Sequence, residues 1–203
     1  MADFALEPCS GLEHVLLPGV QGAQEDAPGM VVTLRTGLAL ALVMAGNGKT
    51  DNLRRRVQDR FDLTLPLTAQ RAEKSGTSFC WAGPGRWLAA TSTQTAAAFE
   101  AMLRRELSGL AAVVNQTDGR CVFHISGPKA RELLARGLPI DIDPRVFGPG
   151  DTALTLAGHI NVHLWQLDLS PAYELSVSRS FAASFCEWLL AAAAKYGVLI
   201  RAS

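Results

Sequence analysis

The chain has 203 residues, 48% hydrophobic, 19% charged and 7% aromatic, with 18 Gly, 10 Pro and 4 Cys, a composition that excludes collagen, coiled coil and wholesale disorder. Nineteen Lys and Arg balance nineteen Asp and Glu, so no net field draws the chain to nucleic acid or an anionic membrane. At this length roughly 70% of the unfolded chain's surface can be buried, enough for a core without metals or disulfides.

Residues 1–29 are rich in Gly, Pro and acids without sustained periodicity and read as an irregular N-terminal arm. The start carries Asp3 and Glu7 and lacks a basic or apolar stretch, so no secretory signal is expected. Gly37–Gly46, the longest uncharged apolar run, reaches about half of the roughly 20 residues that span a membrane. Cys9, Cys80, Cys121 and Cys186 are widely separated, and three lie in apolar segments. That pattern predicts reduced, buried thiols and a soluble, cytoplasmic protein.

Residues 30–203 read as a single α+β domain. VVTLR and LALALVM flank Thr36-Gly37 as a hairpin or two successive strands. Asp51 or Asn52 can then cap a helix whose Leu53, Val57 and Phe61 recur every four positions. Strand-like runs at 77–82 and 86–91 enclose Gly83-Pro84-Gly85, a tight-turn sequence. A helix from Ser92 or Thr93 to about Leu107 ends at Gly109. Strands at 111–116 and 120–125 are joined by Asp118-Gly119, a strong hairpin signal.

Ser126-Gly127-Pro128 opens a short helix that Gly137 closes. After a loop rich in Pro and Asp, runs at 153–157, 159–169 and 173–178 alternate as strands. Ser180 then caps a helix over 181–195 that stops at Gly197. This order predicts an α+β fold with antiparallel sheets and packed helices. It divides into two similar hairpin-helix halves, 30–109 and 110–203.

Several features invite a chemical reading. Gly46-Asn-Gly-Lys-Thr50 sits between an apolar run and a helix, as a phosphate loop does. Val43 occupies the position where that motif needs its first glycine, so a polar connecting loop is expected. His159 and His163 have metal-ligand spacing on a helix. The surrounding alternation argues for a strand, where four residues separate the imidazoles by ~13 Å at ~3.3 Å per residue. His124, between Phe123 and Ile125, reads as a satisfied structural histidine. Asp141 and Asp143 beside Pro139 and Pro144 read as turn chemistry. Arg54, Arg55 and Arg56 read as a solvated helix face or a partner contact. Neither a nucleophile elbow nor an activated cysteine nor a poised carboxylate pair is recognisable. No catalytic, cofactor-binding or metal residue is assigned.

The passages GPGRWLAATS (83–92), HISGPKARELLARGLPIDIDPRVFGPGD (124–151) and YELSVSRSFAASFCEWLLAAAAKYG (173–197) resemble the gamma subunit family of heterotetrameric sarcosine oxidases. The most specific block runs from Ser126-Gly-Pro128 through Gly137, Pro139, Asp141 and Phe147 to Gly150. The resemblance implies a fold similar to the folate-binding domain of the glycine-cleavage aminomethyltransferase. It implies a non-catalytic chain that supports assembly with alpha, beta and delta subunits. Those partners would hold NAD, FAD, FMN, zinc and tetrahydrofolate, while this chain holds no cofactor. The complex would oxidise the N-methyl group of sarcosine to give glycine, hydrogen peroxide and formaldehyde or methylenetetrahydrofolate. An N-methylglutamate dehydrogenase of similar composition and a free-standing folate-binding protein are the rival readings. The arm and the Arg54–Arg60 face are the expected contact surfaces.

Overall fold

A computed structural model describes residues 12, 14–23 and 27–201; Cys9 and much of the arm lie outside them. The first half contains β2 (Met30–Leu34), β3 (Ala39–Ala45), α1 (Thr50–Phe61), β4 (Arg71–Lys74), β5 (Thr77–Trp81), β6 (Arg86–Thr91) and α2 (Ala96–Glu106). The second contains β7 (Ala111–Asn115), β8 (Arg120–Ser126), α3 (Ala130–Gly137), β9 (Thr152–Ala157), β10 (Ile160–Asp168), β11 (Ala172–Ser178) and α4 (Ala182–Ala193). Two short strands complete the set, β1 (Gly19–Gln21) and β12 (Val198–Arg201).

One sheet runs β4-β5-β6-β3-β7 and the other β9-β10-β11-β8-β2-β12-β1. Strand by strand the first five positions correspond, with one exchange: each half gives its first strand to the other half's sheet. Thus β7 lies antiparallel on β3, and β2 lies antiparallel on β8. The two halves also touch at matching positions, since Gln70 before β4 bridges Asp151 before β9. Among the described residues, pairing is antiparallel except between β12 and β2, which run parallel.

This exchange decides between the two readings of residues 30–45 and corrects the hairpin expected at Asp118-Gly119. β2 and β3 are successive strands in different sheets, and Asp118-Gly119 does not close a hairpin, because β8 pairs with β2 and β11. The reason is tertiary. Asn115 Oδ1 accepts from the Thr117 N–H, and Thr117 Oγ1 accepts from the Leu40 N–H at 2.9 Å. These bonds pin the turn to the matching crossover of the first half, so the chain changes sheet where local turn chemistry alone would reverse it. The turn at Gly83–Gly85 does close a hairpin, between β5 and β6.

Helix starts also differ from the sequence reading. α1 begins at Thr50 with Lys49 at its N-cap and no side-chain cap, while Thr95 caps α2 by accepting from the Ala98 N–H. α3 begins at Ala130, after a turn that holds Pro128, and a 3₁₀ turn over Arg179–Phe181 precedes α4. Residues 19–21, read as irregular arm, form β1 on β12, and Leu12 is buried in the core. β4 escaped notice because its sequence, RAEK, carries three charges on a sheet edge.

The layers run helix, sheet, sheet, helix. Leu53 and Val57 of α1 and Phe99 and Leu103 of α2 pack on Val43, Phe79 and Trp87. Leu133 and Leu134 of α3 and Phe185 and Leu189 of α4 pack on Phe123, Leu164 and Leu175. Trp188 lies so close to Gly137 that an added Cβ would sit 2.0 Å from its ring, which fixes glycine at the end of α3. Between the sheets a smaller cluster joins Leu40, Cys80 and Leu88 to Val122 and Trp165.

Candidate functional site

Strand alternation sends one set of side chains toward the helices and the other into the space between the sheets. On β10 the helix side takes Val162 and Leu164, and the inner side takes His163 and Trp165. The inner layer is unusually polar, with Ser78, Thr152, His163, Glu174 and Ser176 all buried. Two constellations form there, neither of which is evident from sequence spacing.

The first is closed. Cys80 Sγ lies 3.3 Å from His163 Nε2 and 3.2 Å from Thr152 Oγ1, whose own hydroxyl donates to the Leu164 carbonyl at 2.7 Å. Burial pushes the Cys80 thiol up to about 12, the strongest influence on it, with the Thr152 hydrogen bond opposing. Burial likewise lowers His163 to about 4, helped by the nearby Arg120 charge. Both groups are therefore neutral near pH 7. A nucleophilic cysteine needs the opposite shifts and access to solvent, so this pair serves packing.

The second is open. A cleft of about 250 Å³ is walled by β8, β10 and β11 on one side and by β4, β5 and β6 on the other. Glu174 is buried against it with both carboxylate oxygens engaged: Oε1 is 3.2 Å from Arg35 Nε, and Oε2 accepts from Trp165 Nε1–H at 2.9 Å. Arg71 pairs with Glu73 on the facing wall. His124 also lines the cleft, and its buried Nδ1 has no hydrogen-bond partner among the described residues. The reading of His124 as a satisfied histidine is therefore corrected.

The other sequence candidates are scattered. Lys49 donates from Nζ to the Gly109 carbonyl at 2.7 Å, and the Gly46 N–H donates to the Leu110 carbonyl; the loop ties α1 to the end of α2 and forms no phosphate cradle. His159 lies in the turn before β10 while His163 is buried between the sheets, so the pair does not converge. Among the described residues no group of three His, Cys, Asp or Glu side chains is arranged for a metal.

Asp141 accepts from the Asp143 N–H, and Arg145 holds Asp143 down to about 2 through side-chain and backbone hydrogen bonds. Arg54 pairs with Asp51, Arg55 bonds Asn52, and Arg60 pairs with Glu106. Cys80, Cys121 and Cys186 are free and buried. No helix among the described residues is long and apolar enough to cross a membrane.

A model of the sarcosine oxidase, gamma subunit family matches residues 45–195. The chain is 31% identical over 123 residues to the sarcosine oxidase subunit gamma of Corynebacterium sp. (strain P-1), covering 60% of this chain and 59% of that one. It is 34% identical over 92 residues to the subunit of the same name from Arthrobacter sp, covering 45% and 44%. The matches thus span less than two thirds of these relatives' length.

A chain of the heterotetrameric sarcosine oxidase from Corynebacterium sp. U-96 superposes with a TM-score of 0.75 at 23% identity, over 92% of this chain and 91% of that one. The glycine cleavage system aminomethyltransferase T from Bartonella henselae gives a TM-score of 0.62 at 14% identity, over 86% and 48%. These two likenesses establish the shared α+β fold.

Proposed function

The chain belongs to the sarcosine oxidase, gamma subunit family, and from that premise we propose that it is the non-catalytic gamma subunit of a heterotetrameric oxidase that demethylates sarcosine. The match over residues 45–195 carries this reading. The amine is oxidised at the expense of dioxygen, which is reduced to hydrogen peroxide; water then releases glycine, and the one-carbon unit leaves as formaldehyde or is captured by tetrahydrofolate. FAD, FMN, NAD, zinc and tetrahydrofolate belong to the alpha, beta and delta partners in this reading, and this chain supplies structural support in the cytoplasm. The neutral Cys80–His163 pair supports the non-catalytic role, since it offers no activated nucleophile.

Affinity purification of the tagged chain from its host, followed by size exclusion with flavin absorbance and mass spectrometry, tests the proposal. Co-elution with three other subunits and a flavin spectrum is expected, with the mass of this chain unmodified. Elution alone and colourless overturns it and leaves a free-standing folate binder. Turnover of N-methylglutamate in preference to sarcosine by the intact complex reassigns the substrate.

A further inference from the structure

The open cleft between the sheets has no role in the reading above, and its lining is specific. We propose that it binds a small monocarboxylate with a compact aliphatic body, an activity separate from assembly.

The charged groups of the cleft are unequally engaged within the chain. The lining carries two guanidinium groups, Arg35 and Arg71, and two carboxylates, Glu73 and Glu174. Glu174 has one oxygen on Arg35 and the other on the Trp165 indole, so both of its oxygens are already engaged within the chain. The arginines are not saturated in the same way. Arg35 meets Glu174 through Nε and Arg71 meets Glu73 through a terminal nitrogen, and neither guanidinium has a further partner among the described residues. Arg35 is also reachable, its side chain being 44% exposed.

Unspent N–H groups arranged as planar forks suit a carboxylate, which accepts two of them at once. His124, whose buried Nδ1 has no hydrogen-bond partner among the described residues, also lines the cleft. Because the four formal charges of the lining cancel, a single added negative charge is matched better than a phosphate dianion. Leu38, Leu40, Val122, Leu167 and Trp165 supply an apolar stretch of wall that seats an aliphatic body, with Ser78, Thr91 and Ser92 beside it. A volume of about 250 Å³ lies below the ~300–1,000 Å³ of pockets for drug-sized ligands and suits a molecule of a few carbons.

The test uses the full chain, shown to be folded by a cooperative melt, with isovalerate and its neutral analogue isovaleramide as probes. Saturation-transfer NMR of the probe and tryptophan fluorescence are read together. Saturable binding of isovalerate with a Trp fluorescence change is expected, and isovaleramide should bind at least tenfold more weakly. Arg35→Gln and Arg71→Gln should each weaken isovalerate about tenfold or more, the size expected for a lost charged hydrogen bond. Arg104→Gln, on the far face of α2, should leave binding unchanged. If Arg35→Gln does not fold, Arg35→Lys carries the test, and retention of the charge without the fork should give intermediate affinity. Absence of saturable binding, equal binding of the amide, or arginine variants that bind as the parent does would each overturn the proposal. None of these outcomes depends on whether the chain co-elutes with partner subunits.

Discussion

The outer faces of the two sheets and the layer between them are built on opposite plans. Outside, amphipathic helices cover an apolar surface whose members, such as Phe123, Phe185 and Leu189, are fully buried. Inside, Cys80, Thr152, His163 and Glu174 are buried but polar, and each depends on a particular partner. Burial by area stabilises the first region without regard to direction, whereas the second is stable only while its hydrogen bonds are complete. The difference locates strength and vulnerability in separate layers.

The largest effect expected is on the outer plan. Phe185→Ala removes a ring that packs 4.9 Å from Phe123, centroid to centroid, and should cost about 3–5 kcal/mol in urea denaturation. A cost below that of any inner-layer variant would break the comparison.

Acid should find the inner layer next. The folded value of His163, about 4, lies below its ordinary 6.5, so as pH falls the unfolded chain takes up this proton first. Stability from this group is therefore complete above pH 6.5 and falls by about 3 kcal/mol as pH drops toward 4. His163→Gln should flatten that part of the stability profile. An unchanged slope would move the acid sensitivity elsewhere.

A smaller loss follows from opening one inner hydrogen bond. Glu174→Leu strands the Trp165 indole N–H in a buried site and should cost about 1–3 kcal/mol, with a shift in tryptophan emission as the accompanying sign. Smallest of all, Lys49→Ala removes an exposed bond to Gly109 and should change stability by no more than about 0.5 kcal/mol. That variant should also leave the function intact. Nucleotide-dependent thermal stabilisation lost in Lys49→Ala would restore the phosphate-loop reading.

The outer plan was legible from sequence because a helix writes its buried face into local spacing. Leu53, Val57, Phe99 and Leu103 could be picked out by period alone, and all four are buried. The inner plan was not, because its contacts join residues far apart in the chain. Cys80 meets His163 across 83 positions, and Arg35 meets Glu174 only because β2 has moved to the second half's sheet. Nothing near Asp118-Gly119 announces that exchange, since the hydrogen bonds that override the hairpin come from Leu40 and Thr117. His124 lies on a strand as its neighbours Phe123 and Ile125 imply, but local sequence does not reveal that its Nδ1 lacks a partner among the described residues. The family resemblance, carried by passages in both halves, survived these errors because it does not depend on which sheet a strand joins.

The seat of β2 between β8 and β12 sets a schedule for a chain made from its N-terminus. Met30 has Val198 as its parallel partner, and Val31 has Ser126 on the other side. During synthesis this uncharged strand waits for neighbours about 95 and 168 positions downstream, so the larger sheet is completed only after residues 198–201 have left the ribosome. Its long loops close late and slow the search, and until then MVVTL is an open strand edge. A chaperone or a partner protein that shelters residues 30–34 early would therefore act on yield rather than on the stability of the finished molecule.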